Sequence, residues 1–413
     1  MLTLLVLFVL FIALVGRKYN RYGIYYSCFI FFYVVCHYFY FLTKDGFYHI
    51  ELDSDEGLSF LQTTILLMLI IITYRTLSSI FKIREPILNG VIIGSGYVLL
   101  LMLYFLGVLS YVLQNGIALG LSYNDRLTAN TGGGLSIILM YAYIPALILI
   151  YISKPSKISL IICLLLSVFC GLIYYVVIGG SRNVLAAGIF SLIYLALYFK
   201  HITKKFLALI IVCGVFTLMI LELYRYANNI TDAINFIMNG GMQVILFAFE
   251  SFSPMHAVIN INEALDKRLI EPQYLSTFFN EFSIIIPRFL WEDKPINVLN
   301  NGYFYTTEIL SLDTNLTMSP TFLGTSLIMF GSWFYWVGGF ISGVILFIFD
   351  RSFSHSSNLY WKIILLSSVG YLFFWVRDGF EVFCYILIKF FIVMFIYKNL
   401  TIIYKSLARK NEF

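Results

Sequence analysis

The chain has 413 residues, of which 60% are hydrophobic and only 12% charged. A soluble domain carries about 25% charged residues, so a soluble globular fold is excluded, and the continuous apolar runs exclude a β-barrel, whose strands alternate. The formal charge of +5 is a topology signal and not a nucleic-acid signal, because no soluble stretch interleaves basic and aromatic residues.

Apolar runs fall near 2–16, 22–42, 58–74, 87–113, 135–153, 158–178, 184–199, 206–223, 325–349, 360–376 and 382–400. A membrane span needs about 20 residues, so the expected fold is an all-α polytopic membrane protein of about eleven helices. The first run starts at Leu2 with no basic region before it and no small-residue cleavage site, which reads as a first span and not a signal peptide. The chain then divides into helices 1–8 over 1–223, one large loop over 224–324, and helices 9–11 with a tail over 325–413.

The loops carry the orientation. Residues 17–21, 75–84, 154–157, 200–205, 351–362 and the tail from Lys398 hold 17 of the 27 basic residues. Of the 22 acids, the same side holds only Glu85, Asp350 and Glu412. Basic loops stay in the cytoplasm, which predicts an N-terminus outside, a cytoplasmic C-terminus and an outer-face loop at 224–324. That loop is too long to lack structure. Ser253-Pro254 reads as an N-cap and first helical position opening PMHAVININEALDKRLI, and TDAINFIMNGG (231–241) ends in glycines as helices do.

The six cysteines lie inside apolar runs with no CxxC pair, which predicts core packing with neither a disulfide framework nor a structural metal. No nucleotide or zinc-hydrolase motif is present, so no cofactor is expected.

Four arginines expected on the outer face share one habit. Arg182 in GGSRN, Arg225 in LYRYANN, Arg288 in IIIPRFLWEDKP and Arg377 in FFWVRDGFE each sit at a helix end or between apolar flanks. Each is readable as an interfacial cation or as part of a shared anion site. Arginine suits the second role, having a fixed fork of donors matched to phosphate oxygens. The glycines before Arg182 either end the sixth span or let backbone N–H groups approach an anion at a helix start. In IPRFLWEDKP, prolines bracket a charged turn, and Trp291 and Lys294 are candidates for glycan contact. The glycines of TMSPTFLGTSLIMFGSWFYWVGGFISG permit close helix packing. His256, Glu250, Glu281 and Asp293 are candidate proton acceptors that spacing does not rank.

GGSRN, IPRFLWEDKP, SPTFLGTSLIMFGSWFYWVGG and VRDGFE, on this helical plan, resemble the bacterial O-antigen and capsule repeat-unit polymerases of Wzy type. An arginine followed by glycine eleven positions on, found in some members, is not met at Arg182, where Ile193 stands. The resemblance implies a metal-independent glycosyltransferase at the outer face of the inner membrane. It implies transfer of a growing glycan from undecaprenyl pyrophosphate to an incoming lipid-linked repeat unit, with a chain-length regulator as a possible partner. It further implies that Arg182, Arg288, Arg225 and Arg377 hold pyrophosphate, with His256, Glu250 or Asp293 taking the acceptor's proton. An O-antigen ligase of the same plan and a lipid-linked oligosaccharide flippase or transporter are the alternatives; a transporter favours inverted repeats, and none is visible in the sequence.

Overall fold

The computed structural model describes residues 23–47, 56–86, 96–117, 134–179, 182–203, 255–283, 299–313 and 317–410, with a few isolated positions between them. Every regular element among these is helical. Among the described residues seven helices are long and apolar enough to cross a membrane, and three shorter ones, Ile24–Tyr38, Val184–Tyr198 and Thr321–Phe334, are also apolar. The protein is thus an all-α, multi-pass membrane protein. The expected first span, 2–16, lies outside the described residues, as do nearly all of 206–223 and the helix signals at 231–241 and Ser253-Pro254.

The chain forms two compact units that interleave in sequence. The first comprises Met1–Pro86, Glu222–His355 and Leu372–Tyr385. Its leading helices are α1 (Ile24–Phe47) and α2 (Glu56–Ile80). The second comprises Ile87–Leu221, Ser356–Tyr371 and Ile386–Phe413. It opens with α3 (Gly96–Asn115), α4 (Gly134–Met140), α5 (Tyr143–Ser153), α6 (Lys157–Ile178) and α7 (Arg182–Tyr198).

Small residues set the spacing in the second unit. A Cβ on Gly107 of α3 would lie 2.8 Å from the Ser136 carbonyl of α4, and one on Gly171 of α6 would lie 3.0 Å from Leu185 Cα of α7. Without side chains at these points the backbones meet directly. Buried tyrosines spend their hydroxyls on carbonyls: Tyr104 donates to Cys170 O at 2.7 Å and Tyr143 to Val184 O at 2.8 Å. The break between α4 and α5 follows from Pro145, which has no N–H to return to the Tyr141 carbonyl. Helix α6 starts at Ser156, whose hydroxyl accepts the Ser159 N–H at 3.1 Å, and turns Ile158 and Leu165 outward, 73% and 67% exposed, as a lipid-facing helix does.

In the first unit the large loop over 224–324 holds α8 (His256–Asp266), α9 (Ser276–Ser283) and α10 (Asn301–Phe304), the last continuing into a π-turn over Tyr305–Ile309. The apolar run 325–349, expected as one span, is built differently. It is divided between α11 (Thr321–Phe334) and α12 (Trp336–His355). Gly331 has φ 71 and ψ 177, which no α-helix holds. A Cβ on Gly338 would lie 3.0 Å from Ser326 Cβ, whereas a straight helix separates positions twelve apart by about 18 Å. The run therefore folds back on itself, with α11 buried and α12 long enough to span. The chain closes with α13 (Leu359–Ser368), a 3-10 turn over Val369–Tyr371, α14 (Leu372–Arg377) and α15 (Phe380–Lys410).

Charge orders the first unit. At one end, Asp350 of α12 accepts the Tyr25 and Tyr26 N–H groups that open α1, and the Tyr74 hydroxyl of α2. Arg351 lies 4.8 Å from the Phe81 ring centroid, and Ser354 donates to the Arg84 carbonyl. At the other end of α2, Gln62 and Asn262 of α8 exchange side-chain hydrogen bonds at 3.2 and 2.9 Å, and Asn262 also donates to Ser59 at 3.1 Å. Helix α8 is thus tied to the end of α2 opposite Arg75, Arg84 and Arg351.

Candidate functional site

The turn RDGF joins α14 to α15. Gly379 has φ 125, and the Asp378 and Gly379 N–H groups both return to the Phe374 carbonyl, at 2.7 and 3.1 Å. That φ is open to glycine and strained for any L side chain. The turn rests on aromatics. Trp375 is fully buried, its ring 4.5 Å from Phe380, 5.4 Å from Phe383 and 4.9 Å from Phe29 of α1. Phe373 meets Phe32, and Arg377 and Asp378 lie within electrostatic reach of Cys36. Those α1 positions fall about 8 to 18 Å along the helix from Ile24 at 1.5 Å per residue. The turn is therefore set into the helix bundle and not at its tip.

Polar groups from far along the chain converge on it. Glu381, 1% exposed, folds its carboxylate over Gly379, so that a Cβ there would lie 2.6 and 2.7 Å from its two oxygens. Asn301 Nδ2 donates to Glu381 Oε1 at 2.5 Å, and Thr277 Oγ1 donates to Asn301 Oδ1 at 2.8 Å. The neighbouring asparagine repeats the pattern. Asn300 Nδ2 donates to Glu281 Oε2 at 2.6 Å, while Asn300 Oδ1 caps α10 by accepting the Tyr303 N–H at 2.8 Å. Ser319 donates to Asp378. Glu281 and Asp378 both lie within electrostatic reach of Glu381. Two buried polar atoms, Glu381 Oε2 and Arg377 Nε, have no hydrogen-bond partner among the described residues. Three carboxylates thus gather at a turn that Arg377 opens, two of them held by adjacent asparagines, in a setting of hydroxyls, amides and aromatic faces. Such a set hydrogen-bonds sugars.

The chain belongs to the O-antigen assembly polymerase family. The family model described as WzyE protein, O-antigen assembly polymerase, matches residues 1–408. No solved structure matches the chain. The polymerase is therefore a glycosyltransferase-type membrane enzyme of polysaccharide biosynthesis, working on lipid-linked oligosaccharides.

Of the residues singled out from sequence, Glu281 stands in this cluster and Arg377 opens its turn. His256 opens α8, half-buried, its ring 6.3 Å from that of Tyr40. Asp293 is exposed and Trp291 is 36% exposed. Arg182 starts the 17-residue helix α7. Gly179 before it takes φ 83 and ψ 54 and donates its N–H to Tyr175 O, so the first glycine of GGSRN ends α6. The side chain of Arg182 lies outside the described residues, as do Arg225, Glu250, Arg288 and Lys294.

Sequence reasoning missed Glu381, Asn300, Asn301, Thr277 and Ser319. The signals were the acid closing VRDGFE and the Asn300–Asn301 doublet. Tyr305, in the π-turn after α10, accepts a hydrogen bond from Asn260 at 3.1 Å, and burial pushes its phenol up to about 12, so it stays protonated near neutral pH. The tie between α8 and α2 is testable. Asn262→Ala strips Gln62 and Ser59 of buried partners, each worth about 1–3 kcal/mol. Its expected result is a thermal midpoint in detergent lowered by several degrees against wild type.

Proposed function

We propose that the polymerase transfers a growing glycan from undecaprenyl pyrophosphate to the sugar of an incoming lipid-linked repeat unit, at the outer face of the inner membrane and without a metal ion. The observation that carries the reading is the match to the polymerase family over residues 1–408. The outer face is supported by charge: α8 is tied to the end of α2 opposite Arg75, Arg84 and Arg351, and basic ends stay in the cytoplasm. The N-terminus is then outside and the C-terminus cytoplasmic.

In this reading Arg182, Arg288, Arg225 and Arg377 hold the two pyrophosphates and stabilise charge developing on the leaving group, as preorganised cations do. The start of α7 adds backbone N–H groups and the favourable end of the helix dipole. Trp291 and Lys294 contact glycan. His256, Glu250 and Asp293 are the sequence candidates for the proton acceptor.

A glycan ladder tests this. Deleting the gene is expected to leave one repeat unit on its normal acceptor and no longer chains. Wild type restores the ladder; Arg182→Ala and Arg288→Ala, present at normal level, do not. Absence of any capped unit in the deletion would instead point to ligation or flipping. A full ladder with both alanine variants would remove these two arginines from the pyrophosphate role.

A further inference from the structure

We propose that Glu381 takes the proton from the acceptor hydroxyl, an inference that rests on the polymerase reading above. Its Oε1 is tied to Asn301 at 2.5 Å, and its Oε2 is buried with no hydrogen-bond partner among the described residues. Leaving a buried carboxylate oxygen unmatched inside an apolar bundle is costly. Such atoms call for a role, and a hydroxyl donor is what this one lacks.

The carboxylate is also fixed in advance. Asn301 is held on its far side by Thr277, Gly379 leaves the space the carboxylate fills, and Phe380 is pinned between Trp375 and Phe278. An acceptor oriented before the substrate arrives loses nothing to reorganisation in the transition state. Around it, Asn300, Ser319 and Asp378 are half-buried polar groups within reach of a sugar. Asp293, by contrast, is exposed, and an exposed carboxylate is fully hydrated. Titratable groups facing Glu381 are Glu281 of α9, Asp378 of the turn and Cys384 of its own helix.

The acceptor hydroxyl oxygen forms a bond to C1 of the donor sugar while the C1–O bond to pyrophosphate breaks. The electron pair leaves with the polyprenyl pyrophosphate. The hydroxyl proton passes to Glu381 Oε2 and is later released to water.

Glu381→Gln separates this role from a structural one, since a glutamine oxygen still accepts from Asn301 but no longer takes a proton. Protein in nanodiscs, given an undecaprenyl-pyrophosphate-linked repeat unit, is assayed for initial rate across a pH series. The expected result is a rate lowered on the order of 100-fold or more, with the wild-type fall toward acid pH missing from the residual rate. A rate within about threefold of wild type, or an unaltered acid limb, overturns the proposal. If the glutamine variant does not reach the membrane, Glu381→Asp is read instead: a slower rate with a displaced acid limb is expected, and wild-type behaviour overturns the proposal. The ladder keeps the two readings apart. A ladder surviving gene deletion sinks the polymerase reading; a ladder lost on deletion but restored by E381Q sinks only this one.

Discussion

Asp350→Ala is expected to abolish accumulation of the protein in the membrane. Asp350 is fully buried and serves three donors at once: the Tyr25 N–H at 2.8 Å, the Tyr26 N–H at 3.1 Å and the Tyr74 hydroxyl at 2.8 Å. Two of these are N–H groups at the start of α1, which have no partner within the helix. The carboxylate of α12 therefore caps a helix more than 300 positions away in sequence, and its charge lies at the favourable end of that helix dipole. Alanine removes all three acceptor contacts in a site closed to water. At about 1–3 kcal/mol for each orphaned buried group, the loss rivals the roughly 5–15 kcal/mol that holds a typical domain together. Asp350→Asn keeps one acceptor oxygen but turns an amide donor toward other donors, so it is expected to accumulate at a reduced level. Tyr74→Phe loses one bond and is expected to accumulate nearly normally. Quantifying membrane-inserted protein for the three variants tests the order; equal levels for Asp350→Ala and Tyr74→Phe would show that Asp350 does not organise this end of the unit.

The residues that were legible in the sequence are those whose role is local. Hydropathy runs placed α2, α3, α6 and α15 because span length and apolar content are properties of a single segment. The Ser253-Pro254 signal points to a helix in PMHAVININEALDKRLI, where α8 lies, and the glycines of GGSRN are readable as a helix end because a left-handed cap is a local demand. The run 325–349 misled because hydropathy is blind to backbone direction: Gly331 bends it without adding one polar residue. The site was the hardest part to see. VRDGFE is visible as a motif and its arginine carries a local signal, whereas Glu381 gains its meaning from Asn301, 80 positions earlier. Gln62 and Asn262 are 200 positions apart, and nothing local in either marks it as the other's partner.

Gly379→Ala is expected to stop polymer formation while leaving protein level close to normal, and a second glycine shows why. Gly379 and Gly116 both sit at positive φ, 125 and 74. Each alanine variant carries a backbone cost of about 1–3 kcal/mol. They differ in what the new methyl meets. At Gly116 nothing lies within 4 Å; at Gly379 the methyl lands 2.6 to 2.8 Å from the carboxylate of Glu381. Such contacts cannot persist, so the carboxylate must leave its position over the turn and with it the Asn301 hydrogen bond. A displacement of about 1 Å in a reacting group costs on the order of 100-fold in rate. Gly116→Ala therefore reports strain alone, and Gly379→Ala reports strain plus displacement of Glu381. With both variants at comparable level in the membrane, the glycan ladder is expected to persist for Gly116→Ala and to collapse for Gly379→Ala. Equal ladders would mean that the position of the Glu381 carboxylate does not matter to the reaction. Collapse in both would assign the effect to positive-φ strain, leaving no special part for the turn.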